Sequence, residues 1–507
     1  MSLKPEKQYG DYQTPTYFSK KIAQFIKNDL GYVPDTVIEP TCGTGSFIRA
    51  TNETYDNVRI IGNEINETYV SQAKSIEPRK KNEIEIQNYD YFRLKKAIEV
   101  NKTDQLLIIG NPPWVTNSSI SAESGDNLPK KSNFKNLSGY DALTGSSNFD
   151  ISESMIVDLV HKYYMLNPLI SMICKTTVAI NVFKYMHETN IGMDYFKIER
   201  IDALEVFNVS VDACVIYVKL HGDKNTNAIE WLDEENKGRK SGFIGTSFYM
   251  NLSESANQIE GETEIEWRQG IKHDAGKIME LKKVDNLTYI NGLKEKLTLE
   301  SERVFPLVKS SHLKEHIITD FKKYVIVTQD MLKQDTNYIE QTSPLLWNYL
   351  NDKIDHFAKR KSSIYENSPK FSMFGIGDYT WLPYKVGVSG FYKKPTFSLL
   401  INEKPVMLDD TSYFLGFQEY DIAYTIMLVL NSHEVQSFLK QIANLKSKRP
   451  YTKKVLSRIS IEKSFKKIPY NEMKQIEKRL GLENYLTENH YEVAKQKFTQ
   501  QQLFLDL

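Results

Sequence analysis

Asn111-Pro112-Pro113-Trp114 is the segment of this 507-residue chain whose residue types point most directly to chemistry. Two successive prolines fix φ at both positions and remove two backbone donors, so the loop is stiff and its carbonyls face outward as acceptors. The Asn111 side-chain oxygen and the Pro112 carbonyl could each accept one N–H of an exocyclic amine such as adenine N6. That would draw the nitrogen lone pair out of conjugation with the ring and aim it at an electrophile. Trp114 offers a flat face for an unstacked base. The same four residues also read as a stiff loop with its tryptophan plugged into a core, and context has to separate the two.

Glu39-Pro40-Thr41-Cys42-Gly43-Thr44-Gly45-Ser46-Phe47 carries two glycines at a turn, with no Lys-Ser/Thr after them, which disfavours a phosphate-cradling P-loop. Glu64 follows Gly45 by 19 residues, the distance at which an acid grips ribose hydroxyls in nucleotide-binding sheets. Taken alone it reads equally as a helix cap. In Asn88-Tyr89-Asp90-Tyr91-Phe92, Asp90 could accept from an adenine amine of a cofactor and Tyr91 could pack on its ring. The alternative there is an N-cap beside core aromatics. Phe207 is by default a core residue.

The elements that position these residues alternate in the βαβ manner. Short strands are expected at Thr36-Val37-Ile38, Val58 to Gly62, Ile84 to Gln87 and Leu106 to Ile109, with a helix from Ser46. Each strand ends where a candidate residue begins, and open parallel sheets bind ligands outside the carboxyl ends of their strands. A polar stretch follows Trp114 as far as Phe149, too long for a passive connection. Beyond it a helix from Ile151, a strand at Leu169 to Ile173 and a strand pair at Ala203 to Phe207 and Ala213 to Val218 would complete the sheet. The polar segment 221–241 then reads as a boundary, and the chain from about Asp421 as mostly helical.

Composition excludes several classes. Hydrophobic residues at 40% and charged ones at 26% are those of a globular protein. The amino terminus has no apolar signal-like core and no run approaches a membrane span, so a cytoplasmic protein without membrane contact is expected. Cys42, Cys174 and Cys214 lie far apart without ligand spacing, so neither a metal site nor a disulfide framework follows. The net charge of zero argues against a uniformly cationic surface. From Lys440 to Lys467, however, ten Lys or Arg face a single acid, Glu462, which reads as a nucleic-acid contact or as a solvated helix face.

With the glycine turn, Glu64, Asp90 and the Asn-Pro-Pro-Trp word in this order, residues 8 to about 220 resemble the gamma-class, TaqI-like DNA adenine-N6 methyltransferases of bacterial restriction-modification systems. Thr41 stands where that family has Ala, and Trp114 where many members have Tyr or Phe. The resemblance implies a class I methyltransferase fold, an α/β doubly wound and mostly parallel seven-stranded sheet, with S-adenosyl-L-methionine as cofactor. It implies that Thr14, in Gln13-Thr14-Pro15, helps hold the methionine carboxylate, that Glu39, Gly43 and Gly45 belong to the cofactor motif, that Glu64 binds the ribose, and that Asp90 and Tyr91 contact the cofactor adenine. Phe207 would pack on the flipped target base opposite Trp114, with Asn111, Pro112 and Pro113 completing the reaction site. A looser likeness of Val304 to Ser311, Tyr384 to Val386 and Lys394 to Phe397 to larger restriction-modification methyltransferases implies a mixed α+β target-recognition domain. The expected division is a catalytic domain over 1–235 and a recognition domain over 236–507, together enclosing a DNA-wide cleft. The partners implied are double-stranded DNA and a separate restriction endonuclease; a fused nuclease is not expected. RNA adenine and protein glutamine-N5 methyltransferases share the Asn-Pro-Pro-aromatic word and are the competing reading.

Overall fold

Residues 12–93, 98–114, 150–252 and 258–499 are described by the structure, a computed structural model. The polar stretch expected after Trp114 falls outside them. The chain separates into two compact units, Met1–Leu252 and Ser253–Leu507.

In the first unit β1 (Thr36–Glu39), β2 (Arg59–Glu64), β3 (Glu83–Asn88), β4 (Leu106–Gly110) and β5 (Leu169–Lys175) pair in parallel in the order β3-β2-β1-β4-β5. Around them stand α1 (Thr16–Asn28), α2 (Ser46–Thr54), α3 (Glu67–Lys74), α4 (Ile151–Tyr163) and α5 (Thr176–Glu188). Successive strand residues face opposite sides of a sheet, and the core follows that rule. Val37, Leu107 and Ile109 join one apolar cluster with Phe18, Ile22 and Ile26 of α1 and Phe47 and Ile48 of α2. Their neighbours Ile38, Leu106 and Ile108 join a second cluster with α4 and α5. Strands covered by helices on both faces have to be apolar throughout, and β1 and β4 are buried at every position.

Next come β6 (Met193–Asp202), α6 (Ala203–Phe207) and β7 (Asp212–Leu220), with β7 inserted antiparallel between β5 and β6. The seven-stranded, doubly wound sheet is therefore present, and β8 (Ala228–Trp231), β9 (Lys240–Ile244) and β10 (Ser247–Tyr249) extend it to ten strands. Two expectations change. Ala203–Phe207 is a helix rather than a strand, because the Asp202 carboxylate caps the amides of Leu204 and Glu205 and Asn208 ends the turn at a φ of 56°. The polar segment 221–241 is not a boundary either: Ile229 and Trp231 alternate into the core, β8 pairs with β6, and the unit runs on to Leu252 rather than ending at 235.

The second unit contains β11 (Arg268–Gln269), β12 (Glu280–Lys283), β13 (Thr288–Asn291), β14 (Lys296–Thr298), β15 (Val304–Val308), β16 (Ile317–Ile318), β17 (Tyr324–Ile326), β18 (Tyr384–Ser389), β19 (Ser398–Leu400), β20 (Met407–Leu408) and β21 (Ser412–Phe417). They form a six-stranded sheet, β14-β13-β12-β17-β15-β20, and a five-stranded one, β11-β21-β18-β19-β16. From Tyr420 the unit is largely helical. The helical stretch expected from Asp421 to Gln441 is two helices, Tyr420–Leu430 and His433–Ile442, because the Ser432 hydroxyl accepts the Val435 N–H and starts the second.

Candidate active site

Glu39 closes β1 and is buried, its Oε2 accepting the Ile48 N–H of α2 at 3.1 Å. Burial, reinforced by the nearby charge of Glu64, holds its carboxyl well above the usual carboxylate range. The chain then turns through Gly43 at φ 52° and Gly45 at φ 87°, left-handed values at which a side chain is strained. A Cβ on Gly45 would also stand 2.6 Å from Ile76 Cδ1, and one on Gly43 2.6 Å from Gln13 Oε1. Glu64 closes β2 directly opposite: its Oε2 accepts the Gly43 N–H at 2.9 Å, while Oε1 accepts those of Ile65 and Asn66 at 3.0 and 2.8 Å. Two amides tie these strand ends together, Asn63 Nδ2 donating to the Pro40 and Tyr89 carbonyls and Asn88 Nδ2 to the Glu64 carbonyl.

Asn111 follows β4, the strand beside β1, where the strand order reverses. Its Nδ2 donates to the Tyr12 carbonyl at 2.9 Å and to Thr14 Oγ1 at 3.3 Å, so both amide hydrogens are used and the side chain is oriented. Its Oδ1 is buried with no hydrogen-bond partner among the described residues. The Pro112 carbonyl likewise accepts no hydrogen bond among the described residues. Trp114 is pinned from β5 at both ends: its Nε1 donates to the Ile173 carbonyl at 3.4 Å, and Lys175 Nζ donates to its own carbonyl at 3.3 Å. Lys175 is in turn paired at 2.6 Å with Asp150, which caps α4.

The rings of Trp114 and Phe207 stand edge to face, their centroids 5.2 Å apart, with Tyr12 5.7 Å from Trp114 and Phe18 6.4 Å from Phe207. A base stacked on both faces needs flanking rings about 7 Å apart, twice a carbon contact distance of about 3.5 Å. The two aromatics thus fill the space between them in this arrangement. Phe207, at the end of the short α6, is the more exposed wall.

The structure therefore brings Thr14, Glu39, Gly43, Gly45, Glu64, Asn111 to Trp114 and Phe207 to the carboxyl ends of adjoining strands. Asp90 stands at the end of β3, where Oδ1 caps the Phe92 N–H at 3.0 Å and Oδ2 pairs with the exposed Arg93 at 3.2 Å. Tyr91 does not join the site as expected. Its ring lies in the core on the side of α4 and α5, its hydroxyl bonds Asp158, and Lys162 covers its face at 4.8 Å. The exposed apolar surfaces at these strand ends are instead Ile65, 49% exposed, and Tyr89, 58% exposed. Tyr89 and Gln13 lie within the sequence motifs without a role of their own there, and Ile65, Tyr12 and Lys175 lie outside them. Ile65 and Gln13 had a usable signal, each lying next to a candidate residue. Tyr12 and Lys175 had none, because their contacts form only when distant segments close.

Thr41 Oγ1, Asn63 Oδ1 and Asn111 Oδ1 are buried without partners among the described residues at this end of the sheet. Buried polar atoms are rarely left unpaired, so three together mark a place that a polar ligand completes. A left-handed glycine turn, an acid at the next strand end and orphaned acceptors fit S-adenosyl-L-methionine. Among the described residues no group of three or more His, Cys, Asp or Glu could hold a metal, and no helix is long and apolar enough to cross a membrane.

The first unit is thus a class I S-adenosylmethionine-dependent methyltransferase. Residues 2–156 match the N-6 DNA Methylase family. The type II methyltransferase M.NspV of Nostoc sp. (strain ATCC 29411 / PCC 7524) is 36% identical over 469 residues, 90% of this chain and 97% of that protein. With that identity over nearly all of both proteins, the chain belongs to the type II methyltransferase family and is a DNA methyltransferase. The type II methyltransferase M.CvrRI of Paramecium bursaria Chlorella virus XZ-6E is 34% identical over 117 residues, 23% of this chain and 27% of that protein. Among solved structures, the type IIL restriction-modification enzyme MmeI in complex with DNA matches with a TM-score of 0.58 at 13% identity, covering 99% of this chain and 76% of that one, a likeness of fold.

Proposed function

We propose that the chain methylates N6 of an adenine extruded from a specific site in double-stranded DNA, and that it thereby protects that site from a separate restriction endonuclease. The observation that carries this reading is the orphaned Asn111 Oδ1 beside the unused Pro112 carbonyl, in a loop oriented by Tyr12 and Thr14. Two acceptors held rigidly in place match the two hydrogens of N6 and turn its lone pair outward. Trp114 and Phe207 supply the two stacking faces once their edge-to-face contact opens around the base. The proton lost from N6 leaves to water, so no dedicated base is required. Likeness to a type II methyltransferase over almost its whole length favours DNA over RNA or a glutamine side chain as substrate.

Bound S-adenosyl-L-methionine supplies the methyl group on a sulfonium. For holding it, Glu64 offers its carboxylate to the ribose hydroxyls, and the Gly43 and Gly45 turn keeps side chains out of the way. Thr14, whose Oγ1 accepts from Asn111, retains its hydroxyl hydrogen for the methionine carboxylate. Glu39 would be favoured in its ionised form by a cofactor cation bound near the end of β1. Ile65 and Tyr89 would flank the adenine ring, and Asp90 Oδ2, which among the described residues pairs with exposed Arg93, would accept from its amine. Met1–Leu252 is the catalytic part and Ser253–Leu507 the part that selects the DNA site.

The test is nucleoside analysis of DNA incubated with the purified protein and methyl-labelled cofactor. All label should appear in N6-methyladenine; label in a methylated cytosine would overturn the reading.

A further inference from the structure

In the second unit a cavity of about 150 Å³ opens where Lys272 and His273 meet the turn joining β20 to β21. A cavity of that size takes a group about as large as one aromatic ring. Most of the charge around it is already committed. Lys309 pairs with Glu280 at 2.6 Å and Lys272 with Asp274 at 3.5 Å. Asp409 Oδ1 accepts from the Thr411 hydroxyl at 2.7 Å and the Ser412 hydroxyl at 3.0 Å, and its carbonyl accepts the Ser412 N–H at 3.0 Å, closing the turn. Ser310 Oγ donates to the Thr411 carbonyl at 2.8 Å and anchors the turn from outside.

Asp410 stands inside this rigid turn. Gln269 donates to its main-chain carbonyl, but its carboxylate has no ion-pair or hydrogen-bond partner among the described residues. Partial burial, reinforced by Asp409, raises its carboxyl above the usual range against the opposing pull of Arg449 and Lys272. His273, 8% exposed, lines the same cavity. Its Nδ1 accepts the Ala275 N–H at 3.2 Å, which puts the ring hydrogen on Nε2, and Nε2 has no protein partner among the described residues.

The cavity wall itself carries four carboxylates, Asp274, Glu280, Asp409 and Asp410, against Lys272 and Lys309, and further cations stand on the loop beside the turn. The Gly390 N–H donates to the Thr411 carbonyl at 3.0 Å, so the loop carrying Phe391 and the exposed Lys393 and Lys394 abuts the turn. Arg449 lies over the Phe391 ring at 5.1 Å, and the Tyr451 hydroxyl fixes the Lys393 carbonyl at 2.8 Å. In protein–DNA recognition, cations position the backbone while groups with a defined hydrogen-bond pattern read the bases. A carboxylate accepts from a base amine and is repelled by the acceptor edges of guanine and thymine in the major groove.

We infer that Asp410 is a specificity-determining residue that accepts a hydrogen bond from an exocyclic base amine, cytosine N4 or adenine N6, of DNA bound at this turn, with His273 Nε2 donating into the same cavity. The inference rests on the reading of the second unit as the one that selects the site. It is tested with the full-length chain by mapping the methylated sequence and then measuring kcat/KM on duplexes substituted one position at a time. Asp410→Ala should lower discrimination at a single amine-bearing position by about tenfold or more, leaving the other positions and cofactor affinity as in the wild type. The identity of the affected base decides between cytosine and adenine. Asp410→Asn, which preserves shape, should relax the same position and serves where the alanine variant melts early. Lys393→Ala with Lys394→Ala should weaken binding at every sequence alike and make its salt dependence shallower. Unchanged discrimination in both Asp410 variants, beside the weakened lysine variant, overturns the base-reading role. Wild-type binding and salt slope in the lysine variant overturn instead the assignment of DNA recognition to this unit.

Discussion

The Glu64 carboxylate accepts the Gly43 N–H at 2.9 Å, so the acid that ends β2 holds the glycine turn that follows β1. Two further amides, of Ile65 and Asn66, depend on its other oxygen. Glu64→Ala should therefore lower the melting temperature and, through loss of a charge-assisted bond to the ribose, weaken the cofactor by about tenfold or more while changing maximal rate little. Titration calorimetry separates the two effects. Wild-type cofactor affinity in a folded variant would reduce Glu64 to a brace for the turn.

Trp114 is 6% exposed, so Trp114→Ala loses stability as well as stacking, and a slower rate alone proves little. Substrate dependence discriminates. Placing the target adenine in a mismatch or opposite an abasic gap lowers the cost of unpairing, and the deficit of Trp114→Ala and of Phe207→Ala should shrink toward wild type. A 2-aminopurine at the target position should brighten on wild-type binding and less so with either variant. Equal deficits on matched and mismatched duplexes would leave both rings as core residues.

Lys175 donates to the Trp114 carbonyl from an ammonium paired with Asp150. Lys175→Met removes this restraint on the loop that carries Asn111 and should cut kcat by roughly tenfold to a hundredfold, the scale of a small misplacement, with cofactor affinity kept. Lys175→Arg should recover part of the loss. A methionine variant with full kcat would show that the loop holds its shape without the lysine.

Lys385, 1% exposed on β18, donates from its ammonium to the Leu382 carbonyl at 2.9 Å and to no other acceptor among the described residues, and burial lowers its pKa to about 7. The unfolded chain, with a lysine near 10.4, binds the extra proton between those values, so stability should rise as pH increases from about 7 toward 10. Lys385→Met removes that slope and should be as stable as the wild type or more so at pH 7. Denaturant unfolding of both proteins at pH 7 and 9 checks this; parallel pH dependences would contradict it.

Much of the site was legible because strand ends in an alternating βαβ chain have to gather at one edge: Glu39, Glu64 and Asn111 follow apolar runs, and Asp90 follows the alternating strand Glu83–Asn88. The direction of Tyr91 was not, because the period of two that assigns faces is lost where β3 gives way to a tight turn. Asp202 converted an apolar run into α6 by capping it, and Ile229 and Trp231 kept a strand inside a segment whose charges suggested a linker. The contacts of Tyr12 and Thr14 with Asn111 span nearly a hundred residues, and no local pattern encodes them.

Methyl transfer at this loop depends on the acceptor role of Asn111. Expression of the wild type and of Asn111→Ala in a methylation-free bacterium, followed by single-molecule sequencing of the genome, measures it most directly. The wild type should place N6-methyladenine at one defined sequence, and Asn111→Ala, still folded and binding cofactor, should lose roughly a hundredfold or more of that activity. Modification of the same adenines at wild-type rate by Asn111→Ala, or none at any adenine by the folded wild type, would contradict it.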